Sequence, residues 1–142
     1  MEIIFSRVDE GRILHMVKRL KEVEQQDVFR VDVVPPENFI QCSALNMKKG
    51  KTFKPHKHIT KERSYKNQIA QESWIVVKGS VKCVFYDLDD TVVAEPVLYP
   101  GDVSFTLAGG HNYMVLEDGT IVYEYKTGPY EGRQLDKTFL KQ

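Results

Sequence analysis

A chain of 142 residues is about one domain's worth and long enough to bury a real core. Its 20 basic and 20 acidic side chains cancel, so the molecule as a whole makes no electrostatic case for binding nucleic acid or an anionic membrane. The start, Met1 to Arg7, lacks the basic and long apolar run of a signal peptide, and no segment approaches the ~20 apolar residues of a membrane span, so a cytoplasmic protein is expected.

In chain order, Ile13, Leu14, Met16, Val17, Leu20 and Val23 recur at helical spacing and predict an amphipathic helix through about Gln25. A strand over Arg12 to Val17 followed by a short helix is the alternative. Pro35-Pro36 cannot sit inside regular structure and closes this N-terminal part. From about Phe39 onward short strands alternate with turns, the pattern of an all-β sandwich or barrel. Ser73 to Val77 and Val81 to Tyr86 flank Lys78-Gly79-Ser80 and predict a hairpin. Thr91 to Tyr99 predict a further strand, which Pro100-Gly101-Asp102 breaks. Val103, Phe105 and Leu107 alternate with Ser104 and Thr106, as in a half-buried strand. Asp118-Gly119 is a strong hairpin signal, because type I′ turns need positive φ at both central residues, and it precedes a strand over Thr120 to Tyr125. Cys42 and Cys83 lie in apolar runs without CxxC spacing and read as reduced packing residues.

Four side chains carry the chemistry. His56 and His58 are two apart, so in an extended strand both imidazoles point one way while Lys57 points the other. Glu72 and His111, arriving from neighbouring strands, would complete a mixed nitrogen and oxygen site that suits a divalent first-row metal. Glu62 competes with Glu72 for the carboxylate role. It sits in a charged stretch, whereas Glu72 leads directly into the apolar Trp74 to Val77 strand and is preferred. Gln71 and Glu72 alternate, so a one-residue slip there would turn the carboxylate outward. Trp74 shares the face of Glu72 and would line the cavity. Tyr113 shares the face of His111 and is the candidate proton donor, or else a buried structural tyrosine.

Charge is uneven along the chain. Between Lys48 and Lys66 lie eight basic residues against one acid, Glu62. Lys61, Arg63 and Lys66 are the candidates to meet an anionic substrate, arginine being the strongest because its planar fork grips phosphate or carboxylate with two hydrogen bonds. The bland alternative is a solvated basic loop balanced by the acids of Asp87 to Asp90 and Glu117-Asp118.

Gly50, five residues, His56-x-His58, then Glu72, six residues and Gly79 resemble the first motif of the cupin superfamily. Thirteen residues separate His58 from Glu72, where that family usually has three or four. Pro100-Gly101-Asp102 through His111 resembles the second motif, with Leu107 where proline is usual and His111 one residue early. The run from Gly109-Gly110-His111 to Thr127-Gly128-Pro129-Tyr130 looks like small cupins associated with bacterial surface-polysaccharide and nucleotide-sugar pathways. The resemblance implies a single all-β domain over 1–142: a cupin-type jelly-roll barrel over 37–130, an N-terminal strand or helix extension over 1–36 and a tail over 131–142. It also implies association into a homodimer.

Three histidines and a glutamate would bind one divalent metal, Fe, Mn, Ni, Co or Zn. An octahedral ion would keep open positions, and tetrahedral zinc would be nearly closed. The leading expectation is a metal-binding sugar isomerase or epimerase acting on an anionic, carbohydrate-related molecule. The resemblance to sugar-isomerising cupins also implies a metal-free version, in which the histidines act as acid and base and His56 or His58 would be the base. The alternatives are an Fe(II)-dependent dioxygenase and a non-catalytic cupin that binds a sugar or a metal.

Overall fold

A computed structural model describes residues 1–58, 69–127 and 138–140. Its elements are β1 (Glu2–Phe5), β2 (Ile13–Lys18), α1 (Leu20–Glu24), β3 (Arg30–Asp32), β4 (Ser43–Leu45), β5 (Glu72–Lys78), β6 (Val81–Tyr86), β7 (Val92–Ala94), β8 (Val97–Leu98), β9 (Val103–Thr106), β10 (Gly110–Val115) and β11 (Ile121–Lys126). The strands form a five-stranded sheet in the order β1-β2-β9-β5-β11, a second sheet in which β6 pairs with β10, β7 and β8, and a small β3-β4 ribbon. Every pairing is antiparallel. The architecture is therefore all-β. Among the described residues the strands lie in open sheets rather than one closed barrel.

The two large sheets face each other. Val17, Trp74 and Val76 of the first pack against Val81, Cys83, Phe85 and Leu98 of the second in one apolar cluster. Burying each of the larger side chains contributes roughly 1.5–3 kcal/mol relative to leaving it in water. The other face of the first sheet is covered too. Met16, Phe105 and Leu107 pack beneath Val33, Val34 and Ile40. Cys83 is a free thiol whose burial pushes its pKa up to about 12, which fits packing and not nucleophilic chemistry.

Several sequence expectations change here. The helix expected through Gln25 is not formed; the alternative, a strand followed by the short α1, is what the chain adopts. β2 lies inside the first sheet with its central residues buried on both faces, so its apolar run is continuous and periodicity could not separate helix from strand. β1 and β2, from the expected N-terminal extension, supply two strands of the first sheet.

The two expected hairpins are also not hairpins. β5 and β6 belong to different sheets, as do β10 and β11, so Gly79-Ser80 and Asp118-Gly119 reverse the chain while carrying it from one sheet to the other. The expected strand over Thr91 to Tyr99 is split into β7 and β8 around Glu95-Pro96. The half-buried β9 is buried on both sides. Val103 and Phe105 face the 33–44 segment, and Ser104 and Thr106 face the space between the sheets.

Candidate functional site

Register places the site. His15 of β2, Thr106 of β9, Glu72 of β5 and Lys126 of β11 are directly opposed across successive strands, so they form one row on one face of the first sheet. The next row inward contains Val17, Ser104, Trp74 and Glu124. In the second sheet His111 is opposite Phe85, and Tyr113 is opposite Cys83. These rows meet across the sandwich. Glu72 Oε1 lies 3.2 Å from His111 Nε2, the Trp74 ring meets His111 edge-on at 4.5 Å, and Trp74 meets Tyr113 at 4.6 Å.

Glu72, rather than Gln71, is the residue that turns inward. The Gln71 side chain is occupied elsewhere, accepting the Ile40 amide at 2.9 Å and donating to Asn38 Oδ1 at 3.1 Å. A carboxylate can only accept, so Glu72 is placed to accept a proton-bearing Nε2 of His111. His111 Nδ1 is buried and has no hydrogen-bond partner among the described residues. An imidazole fixed by a carboxylate at one nitrogen and unpartnered at the other is the arrangement of an oriented acid-base group. Trp74 is buried, and its indole N–H points to Glu124 Oε2 at 3.4 Å. It is a wall of the interior, not an exposed platform.

His56 and His58 stand together, 5.4 Å between ring centres, on an exposed stretch. His56 Nδ1 donates to the Lys54 carbonyl at 2.9 Å, which leaves Nε2 as the nitrogen with a free lone pair. The four expected ligands thus fall into two pairs. Among the described residues no three histidine, cysteine or carboxylate side chains stand together as a metal site. Lys61, Arg63 and Lys66, and the competing Glu62, lie outside the described residues.

The remaining histidine, His15, escaped the sequence reading. It is fully buried, its ring stacked on Phe85 at 4.5 Å and 10°. Nε2 donates to the Tyr86 carbonyl at 3.0 Å, and the Thr106 hydroxyl donates to Nδ1 at 3.1 Å. The carbonyl can only accept, which fixes the tautomer of the neutral ring. Burial lowers the pKa of His15 from 6.5 to about 4, against the pull of the Tyr86 carbonyl, so the ring is neutral at neutral pH. The signal available in the sequence was a single polar ring inside the apolar run Ile13-Leu14-His15-Met16-Val17, which demands buried partners.

Compared with protein-family models, curated proteins and solved structures, the chain matches none.

Proposed function

We propose that the protein is an isomerase or epimerase of an anionic, carbohydrate-related small molecule, built on a cupin-type jelly roll, with the Glu72–His111 pair as its acid-base machinery. The observation that carries the reading is His111, with Glu72 against Nε2 and a buried Nδ1 that has no hydrogen-bond partner among the described residues. In the mechanism, Nδ1 of His111 accepts the proton from a carbon next to a substrate carbonyl, and Glu72 stabilises the imidazolium that results. The Tyr113 hydroxyl donates a hydrogen bond to the developing enolate oxygen. Return of the proton from His111 to the opposite face of the same carbon, after the intermediate turns in the site, completes an epimerisation; return to the neighbouring carbon completes an isomerisation once the Tyr113 hydroxyl has given its proton to the former carbonyl oxygen and taken one from the adjacent substrate hydroxyl. Lys61, Arg63 and Lys66 supply positive charge for the anionic part of the substrate.

The test is exchange of substrate carbon-bound hydrogen with deuterated water, followed by NMR over a panel of sugar phosphates and nucleotide sugars. His111→Ala and Glu72→Gln should each lower exchange by about 10²–10⁴-fold, the usual span for a general acid-base group. Full activity in both variants would sink the reading.

A metal-dependent form of the same site is the second reading, favoured by the orientation of His56. A backbone carbonyl on Nδ1 is the usual support for a histidine that ligates through Nε2. As arranged, the four side chains do not make one coordination group. Such an ion would polarise the substrate carbonyl. Elemental analysis of untagged protein beside a His56→Ala, His58→Ala double variant tests it: bound metal lost in the variant supports this reading, and protein that neither holds nor takes up metal rejects it.

A further inference from the structure

We infer that His15 is the positioning residue for the Glu72–His111 pair, clamping the two sheets together at the cross-strand neighbours of both members. The inference rests on the acid-base reading of that pair for its functional meaning, but its geometry stands apart from it.

The contacts of His15 divide between the sheets. On its own sheet, Nδ1 accepts the hydroxyl of Thr106, and Thr106 is the residue directly opposite Glu72. On the facing sheet, the ring stacks on Phe85, and Phe85 is directly opposite His111. Nε2 donates to the carbonyl of Tyr86, which is opposite Gly110, the residue before His111. One ring therefore touches an immediate neighbour of each reacting residue, and it does so with two directional bonds and a face. Glu72 and His111 themselves reach across the same gap, so their 3.2 Å separation depends on the spacing of the sheets at this level.

The backbone beside the clamp is shaped to permit it. Gly109 has φ +76°, and a side chain there would run into the Tyr86 carbonyl that His15 uses. Glycine keeps that oxygen accessible at the start of the strand that carries His111. A purely apolar residue at position 15 would fill the space as well. It would leave the Tyr86 carbonyl and the Thr106 hydroxyl buried without their bonds and would set no distance between the sheets.

The test reads geometry without substrate, using full-length, ¹⁵N-labelled protein and long-range ¹H–¹⁵N correlation of the imidazoles together with the Trp74 indole signal. Wild type should show His15 protonated at Nε2 only. His15→Phe, which retains a ring against Phe85, should displace both the His111 ring signals and the Trp74 indole signal. His15→Gln offers an N–H for Tyr86 and an oxygen for the Thr106 hydroxyl, so it should return those signals toward their wild-type positions. Thr106→Val removes one bond at nearly constant volume and should displace His111 in the same direction as His15→Phe, to a smaller extent. If His15→Phe does not fold, Thr106→Val decides alone. His111 and Trp74 signals unchanged in the folded variants would overturn the inference and leave His15 as core filling. Loss of the acid-base reading would look different: Glu72 and His111 variants fully active, with the His15 spectra still displaced.

Discussion

Gly79 lies directly against Thr120, so close that a Cβ on the glycine would collide with the threonine side chain. The contact brings together two crossings of the sandwich, β5 to β6 through Gly79-Ser80 and β10 to β11 through Glu117 to Thr120. Ser80 strengthens it by accepting the Leu116 amide at 3.0 Å through its carbonyl and donating its hydroxyl to Glu117. Gly79 also holds φ +74°, where an L side chain costs about 1–2 kcal/mol before any collision is counted. Gly79→Ala should therefore lose about 2 kcal/mol or more, read as a lower urea midpoint at unchanged m-value. A variant as stable as wild type would mean that the two crossings are not packed in this way.

The same crossings separate what was legible in the sequence from what was not. Turn residues report a local reversal of the chain, and both glycines were found where reversals occur. They do not report which sheet the next strand joins, because that is decided by which apolar faces must meet across the core. β9 went the same way. Its alternation was read correctly, but Ser104 and Thr106 could be assigned to solvent or interior only by knowing that residues 33–44 cover the opposite face. Glu72 and His111 stand out in the sequence through a motif resemblance, and strand alternation gives each a face without saying which face is interior. Nothing local specifies that they touch, nor that His15, hidden in an apolar run, meets the cross-strand neighbour of each.

His15 gives the stability curve an acid limb. Its pKa is about 4 when folded and 6.5 when free, so between those values the unfolded chain binds more protons and stability rises with pH. Stability from this group is complete above 6.5, is lost as pH falls toward 4 and changes no further below that. The full difference is about 3 kcal/mol. Asp87 acts lower down: burial alone would raise its carboxyl, but the Ser6 hydroxyl and the Arg7 and Leu88 amides outweigh that and hold it below 3.8. Its contribution is lost only as pH falls through that depressed value. Urea unfolding at about pH 7 and about pH 4.5 should show the His15 step in wild type and its absence in His15→Gln. Equal pH slopes in the two proteins would place the step elsewhere.

Trp74 is the only tryptophan, and its ring is in edge contact with both His111 and Tyr113. Intrinsic fluorescence therefore reads the candidate site without any label. His111→Ala removes one aromatic edge, a contact worth about 0.5–1.5 kcal/mol beyond its area, and should change the Trp74 emission spectrum. Tyr113→Phe keeps its ring and should leave the spectrum close to wild type. Titration with a sugar phosphate that binds between the sheets should produce a saturable change in wild-type emission. An emission spectrum in His111→Ala that superimposes on wild type would contradict the ring contact.

Asp102, the acid of the Pro-Gly-Asp turn, is a structural carboxylate. Its Oδ2 accepts from Arg19 Nη1 at 2.9 Å and from the Tyr99 amide at 3.1 Å, while Oδ1 accepts from the Leu20 amide at 3.1 Å. Both oxygens face donors only. Arg19 in turn donates to the Val97 carbonyl at 2.6 Å, so this one carboxylate joins the end of β2, the start of α1 and the turn after β8. Asp102→Ala removes the acceptor of two amides and of a half-buried guanidinium that keeps Glu2 at 3.6 Å and the Val97 carbonyl, and should cost about 2 kcal/mol. Asparagine is no remedy here. Whichever way its amide is turned, its NH₂ group meets either the Leu20 amide or the Arg19 and Tyr99 donors, so Asp102→Asn should be nearly as unstable as Asp102→Ala. Chemical unfolding of both variants decides it: an asparagine variant within about 0.5 kcal/mol of wild type would mean that charge and acceptor count are not what this carboxylate supplies.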